Sequence, residues 1–378
     1  MSGTRSSMRH SRRLLPCCWL MVGLLLAGSG MGAPTGVEEA VDSVRDHDLR
    51  GMADEEIEAL YRRLDEVWQV FRDNKRTARA AIREALRRET EDSFFIIDLS
   101  LAYLYNTGFK ERHLKEVSVW ILRADPNAYP PGYFRVATIL GGLRCNECMP
   151  AALKMFEIET LKDGIQDHAL PVDIELGLLF ALGPYGTDVE TPTREALASS
   201  DCTVRRNAAF MLSMLVPESP TPELRELAKG DSCAESRIAA WTALSRLNDP
   251  ALVPMAREAI AGEPGDGELE AIALALAASF EVDGENLLQE LSKGDDDRLA
   301  SAASSALEKI DPDAKRGPEL ASNFGSRATA ERGSMIRLLR KAVKSGFFEF
   351  DGNALQLEAA LRLEDLSLVN DARASVLR

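Results

Sequence analysis

The chain has 378 residues, 45% of them hydrophobic and 6% aromatic, and a net charge of −15. That is enough apolar chain for one large or two ordinary domains, and the shortage of aromatics beside abundant Ala and Leu favours close-packed helices over sheets. The acid excess creates a field that repels phosphate, which disfavours nucleic acid and anionic lipid headgroups as partners.

The first 33 residues stand apart. Arg5, Arg9, Arg12 and Arg13 make a positive region, Leu14 to Ala27 is apolar, and small residues from Gly28 to Ala33 follow. This is the layout of a secretory signal peptide. The apolar run is shorter than the roughly 20 residues that span a bilayer, so the expectation is a cleaved leader and an exported chain, periplasmic or secreted. The alternative is an uncleaved N-terminal segment acting as an anchor, the single membrane attachment the sequence offers. Cys17 and Cys18 sit at the front of the apolar run, the wrong end for a lipoprotein cysteine. Loss of four arginines and no acid takes the net charge from −15 to −19.

A polar linker is expected over residues 34–53. The first helix is predicted from Asp54 to Phe71. There Ile57, Leu60, Tyr61, Leu64, Val67, Trp68 and Phe71 share one face, and Asp54, Glu55 and Glu56 occupy the positive end. Further helices are predicted over 77–88, 94–105, 111–123, 133–140, 150–161 and 171–182. The helix over 94–105 is nearly all apolar and therefore buried. Breaks at Asp125-Pro126, Pro130-Pro131-Gly132 and Gly183-Pro184-Tyr185-Gly186 separate several of them. No segment alternates with period two, so residues 54–190 read as an irregular helical domain.

From about Thr191 a quartet of positions recurs. It reads Arg205, Ala208, Leu212, Leu215, then Arg237, Ala240, Leu244, Leu247. Next come Leu269, Ile272, Leu276, Ser279, then Ala300, Ala303, Leu307, Ile310, and more weakly Arg332, Met335, Leu339, Ala342. A period of about 32 residues marks a stacked array whose units cannot bury their apolar faces alone. Leu227-Ala228-Lys229-Gly230-Asp231 returns as Leu291-Ser292-Lys293-Gly294-Asp295. In each, Gly is expected to make a left-handed turn and Asp to accept from the amides opening the next helix. Pro222, Pro250 and Pro312 sit where a helix would begin.

The segment Asp201-Cys202-Thr203-Val204-Arg205-Arg206-Asn207-Ala208-Ala209 resembles the short, bacterial-type HEAT repeat, and the resemblance extends over roughly residues 191–345. A final degenerate unit is expected near Leu363 to Ala372. The resemblance implies an α-solenoid and a protein-binding surface rather than a reaction, so the expected fold is all-α, an irregular helical N-terminal domain followed by a HEAT-like α-solenoid over 191–378. Leu269 and Ala300 stand where the family has Arg, so an inter-repeat ladder of Asp and Arg is expected to be incomplete. The concave face of the longer helices, around Arg205, Arg206, Arg237 and Arg298, is the expected binding face, where arginine would engage an acidic or C-terminal carboxylate.

Catalytic signatures are missing. Cys145-Asn146-Glu147-Cys148 lacks the following His of a haem site, and its helical surroundings do not suit a thioredoxin-like pair. Joining Cys145 and Cys148 with Cys202 and Cys233 around zinc would need spacings that no compact zinc knuckle has. A structural disulfide or two free thiols remain for Cys145 and Cys148. Cys202 and Cys233 fall at nearly equivalent places in successive repeats. Packed helices about 8–10 Å apart are too distant for a disulfide unless the loops bend to close the gap. His47, His113 and His168 form no His-Glu pair, no phosphate loop or nucleophile elbow occurs, and no cofactor or metal is implied. Asp295-Asp296-Asp297 reads as helix capping rather than Ca²⁺ chelation. The aromatic cluster Gly346 to Gly352 reads as a loop sealing the stack, with an exposed anchor for a partner as the alternative. The function expected is an exported scaffold or protein-binding module without its own catalytic site. The alternative is an enzyme with a thiol or redox site in the N-terminal helical domain.

Overall fold

The computed structural model describes residues 36–45, 52–160, 174–215, 221–279 and 282–310. The leader, the unit at 332–342, the aromatic cluster at 346–352 and the unit at 363–372 lie outside the described residues. Among the described residues there are helices and connections but no strand, and no helix is long and apolar enough to cross a membrane. The chain is all-α.

The first helix, α1 (Val37–Asp42), lies inside the stretch expected to be linker. Val37, Ala40, Val41 and Val44 are buried, and their spacing is that of one helical face. They pack onto α2 (Asp54–Asp73) and α3 (Lys75–Arg88). The turn after α3 is organised by Glu89. One carboxylate oxygen accepts the N–H groups of Thr90, Glu91 and Asp92 at 3.0–3.1 Å, and the other meets Arg45 at 2.6 Å. Burial raises the Glu89 pKa, but the amides and Arg45 together bring it down to about 2.

Helix α4 (Ser93–Thr107) is apolar on every side because it is enclosed. It packs against α2, α3, α5 (Glu111–Ile121) and α6 (Pro130–Gly142). Asp92 caps its start by accepting from Phe95 N–H at 2.9 Å, and Gly108, at φ 70°, ends it in the left-handed conformation. Helix α6 lies so close to α8 (Ile174–Leu182) that a Cβ on Gly141 would stand 2.0 Å from the Ala181 carbonyl oxygen.

The helix expected over 150–161 is cut short. After α7 (Met149–Leu153) comes a 3-10 turn, Lys154–Glu157, and Ile158 is extended. Two asparagines hold this segment open. Asn127 donates to the Glu157 carbonyl at 2.8 Å and accepts from Glu159 N–H at 3.1 Å. From the other side, Asn207 donates to the carbonyls of Phe156 at 3.0 Å and Ile158 at 2.8 Å. These bonds replace helical partners for a chain that would otherwise bury unpaired carbonyls.

Four antiparallel hairpins follow. They are α9 (Glu190–Ala196) with α10 (Cys202–Leu215), α11 (Pro222–Gly230) with α12 (Ala234–Arg246), α13 (Leu252–Ala261) with α14 (Asp266–Ala278), and α15 (Val282–Leu291) with α16 (Asp297–Glu308). The longer helices stack in order, α10 on α12 on α14 on α16. The recurring positions fill the seams: Ala208, Leu212, Ala240, Leu244, Ile272, Leu276 and Ala303 are all buried. One contiguous apolar core runs from Val37 to Ala306, through both the irregular region and the hairpins.

The corners depart from expectation. Gly230 and Gly294 are not left-handed; the positive φ angles of the array belong to Asn248 (51°) and Glu263 (55°). Asp231 does accept the Cys233 N–H, at 2.7 Å. In the later copy the cap moves by one residue: Asp296, not Asp295, accepts from Arg298 and Leu299 N–H at 2.9 and 3.1 Å. Pro222 takes the first helical position as expected, whereas Pro250 lies just before α13, whose approach is set by Asp249 accepting from Ala251 N–H at 2.8 Å.

Candidate functional site

The arginines read as a binding face lie at the seams between repeats. Arg205 places a bidentate fork on Asp231 of the next unit, both bonds at 2.7 Å, and donates to the Ser199 carbonyl at 2.8 Å. Arg237 repeats the pattern, reaching Glu268 at 2.9 Å and the Asp231 carbonyl at 2.7 Å. Such forks are geometrically specific. The Arg205–Asp231 pair is nearly buried, with side-chain exposures of 11% and 9%. Burial raises the Asp231 pKa, but the guanidinium and the Cys233 amide outweigh it and hold the carboxyl below its ordinary value. The ladder in these slots ends where Leu269 replaces Arg. Arg298 then reaches back from α16, donating to the Pro264 carbonyl at 2.5 Å and lying 3.3 Å from Asp266. Arg206 faces the N-terminal region, where it donates to Glu159 O at 2.9 Å.

The shorter helices carry a second, more exposed ladder. Arg194 meets Glu223 at 2.9 Å, Lys229 meets Glu258 at 3.7 Å, and Arg257 meets Glu290 at 3.2 Å. Exposed pairs of this kind contribute little to stability. Between α9 and α11 lies an open cleft of ≈ 530 Å³. Its lining combines apolar Leu197, Ala198 and Leu227 with charged Arg194, Glu223 and Glu226.

Both cysteine pairs lie at bonding distance. Cys145 and Cys148 are joined with Cα atoms 5.2 Å apart, and both residues are buried. Cys202 and Cys233 are joined across successive repeats with Cα atoms 6.0 Å apart. The gap closes because both cysteines sit at the very start of their helices, where the loops converge, and not along the packed shafts.

The N-terminal region holds polar groups that the sequence reading passed over. Asp98, wholly buried in α4, receives the Trp68 indole N–H at 3.3 Å on each carboxylate oxygen. Burial pushes its pKa up to about 7, against the smaller opposing effects of Trp68 and the Arg135 charge. On the neighbouring side, Arg83 donates to Tyr103 OH at 2.7 Å and to Glu116 at 2.8 Å, and Tyr103 OH donates to the same Glu116 carboxylate. Burial, then the Glu116 carboxylate, push the Tyr103 phenol up to about 12. His113 stands edge-on to Tyr103, and burial followed by the Arg112 charge lowers its pKa. One acid in a nearly all-apolar run, Phe94 to Leu104, was the signal for Asp98. The Arg83–Tyr103–Glu116 cluster joins three helices, and no sequence spacing announces it.

Stacked antiparallel hairpins of about 32 residues, bridged by a fork of arginine on acid, define a short-repeat α-solenoid. A family model described as HEAT repeats matches residues 191–277, and over that stretch the chain is similar to HEAT repeats. The match takes in α9 to α14, and the same stacking continues through α15 and α16. No curated protein and no solved structure matches the chain. HEAT repeats generally mediate contacts between proteins, which suggests a protein-binding scaffold.

Proposed function

We propose that the protein is an exported scaffold that works by binding rather than by catalysis, and that the cleft between α9 and α11 receives a segment of its partner. The HEAT-repeat match and the regular stacking of α9 to α16 support the binding role. The cleft supports the location: it offers apolar surface beside charged side chains at the junction of two repeats. The arginine set Arg205, Arg206, Arg237 and Arg298 would meet a partner's carboxylate only by exchanging the bonds it makes within the chain. Export is supported by the layout of residues 1–33 and by two cysteine pairs at bonding distance, a state that oxidising compartments sustain. Burial of Cys145 and Cys148 argues for a structural role there rather than a reactive one.

Ala198 is exposed in the cleft, so Ala198→Arg fills it without touching the core. Cross-linking of the exported chain in intact cells, followed by identification of the attached proteins, should return a partner that the Ala198→Arg chain fails to capture. The same partners recovered by both chains would refute the assignment of the cleft.

A further inference from the structure

We infer that the cleft between α9 and α11 takes a segment that presents a lysine or arginine beside an apolar residue, which rests on reading that cleft as the docking place. The guest is opposite in charge to the acidic partner that Arg205, Arg206, Arg237 and Arg298 suggest in the sequence. Those four arginines are committed to acceptors within the chain. The charge left over in the cleft is negative.

Among the described residues, the cations at the cleft are already engaged. Arg194 lies between Glu190 at 3.1 Å and Glu223 at 2.9 Å. Arg205 forks onto Asp231, and Lys229 of α11 reaches on to Glu258 of the next hairpin at 3.7 Å. The same bonds satisfy two of the acids in the lining, Glu223 and Asp231. The remaining acid of the lining, Glu226, is exposed and makes no ion pair among the described residues. Its carboxylate is available to a guest.

The backbone adds to that charge. Ala198 lies just past the C-terminal end of α9, Gly230 ends α11, and both line the cleft. Helix C-termini carry the negative end of the dipole and carbonyls without intrahelical donors, so ammonium and guanidinium groups are favoured there. A Cβ on Gly230 would meet nothing within 4 Å, so that end is open to a guest. Leu197, Leu227 and exposed Ala198 supply the apolar side. A volume of ≈ 530 Å³ suits the side chains of a short segment rather than a folded domain. A carboxylate or phosphate placed there would face Glu226, two helix C-termini and the field of a chain of net charge −15.

The test uses the full chain with its disulfides intact and an array of short synthetic peptides. Each spot fixes one residue beside a leucine and leaves the other positions degenerate. Wild type should be retained best where the fixed residue is lysine or arginine, and least where it is aspartate or glutamate. In fluorescence anisotropy with the best-retained peptide, Glu226→Gln should weaken binding by roughly two- to fivefold, the worth of an ion pair at an open surface, and Glu226→Lys by more. Glu270→Gln removes an exposed acid outside the cleft and should leave binding unchanged, while Ala198→Arg should abolish it. A preference for acidic or uncharged peptides, no retention of any peptide, or cationic binding that Glu226→Gln leaves intact would overturn the proposal. Acidic or uncharged peptides retained by wild type and lost in Ala198→Arg would keep the cleft as the docking place and reject this guest. Cationic peptides held equally by Ala198→Arg would reject the cleft itself.

Discussion

Asp98→Asn keeps the shape of a wholly buried side chain and removes a charge that its surroundings hold poorly. Among the described residues its hydrogen-bond donor is the Trp68 indole, shared between two oxygens at 3.3 Å. Burial raises the carboxyl from 3.8 to about 7 in the folded chain. Between those two values the unfolded chain releases its proton while the native chain keeps it. Stability contributed at this position is therefore complete below the unfolded value, falls as pH rises toward 7, and levels off above it. At about 1.4 kcal/mol per decade of pH, the loss is roughly 4 kcal/mol. Asparagine does not titrate, and its side-chain oxygen still accepts from Trp68. Urea unfolding followed by circular dichroism, from about pH 4 to pH 8, should show the variant matching wild type in acid and exceeding it by several kcal/mol in mild alkali. Two stability curves that run parallel over this range would show that the carboxyl titrates normally and would refute the reasoning.

The opposite sign is expected at Glu89, whose folded pKa is depressed from 4.5 to about 2. Its contribution is present above the unfolded value and lost as pH falls through 2, so Glu89→Gln should cost about 3 kcal/mol near neutrality and nothing in strong acid. Gly141→Ala drives a methyl group into the Ala181 carbonyl, which a fixed backbone cannot yield to. A loss of about 1–3 kcal/mol in denaturant melts is the expected cost of overpacking, and an unchanged midpoint would mean that α6 and α8 slide apart freely. Asn207→Ala leaves the carbonyls of Phe156 and Ile158 without their donor and should cost about 1–3 kcal/mol for each one left dry. Hydrogen exchange should report faster opening of residues 154–160 in that variant. Reducing the Cys202–Cys233 bond, which closes a separation of 31 residues, should lower stability by roughly 3–4 kcal/mol, read against the Cys202→Ser/Cys233→Ser chain.

Repeat architecture is written plainly in sequence because it depends on spacing: Ala208 and Ala240, or Leu212 and Leu244, do the same job one period apart. The stack of α10, α12 and α14 was legible for that reason. What escaped depends on contacts between distant residues. Gly230 looked like a left-handed corner, yet the corner is built by the Asp231 carboxylate, and which residue caps is decided by where the loop lies. The end of α7 was placed too late because the bonds that open it come from Asn127 and from Asn207, about 50 residues downstream. Arg205, Arg206, Arg237 and Arg298 were read as a binding face, and each makes bonds within the chain. The resemblance implied the Asp and Arg ladder to which Arg205 and Asp231 belong, but sequence alone offered no means of seeing Glu159 within reach of Arg206 or Glu268 within reach of Arg237. Helix α1 was missed although Val37, Ala40, Val41 and Val44 carry the spacing, because six residues are too short to stand out from a polar stretch.

The Asn207 contact has a consequence for how the molecule can be divided. Its amide is committed, deep inside, to the backbone of a segment that precedes the array, and Arg206 beside it grips Glu159. The earlier helices are therefore the lid on the first repeat, without which that hairpin would present a raw, thirsty seam to any neighbour. A fragment beginning at Thr191 should self-associate, while one that keeps the preceding helices should stay apart.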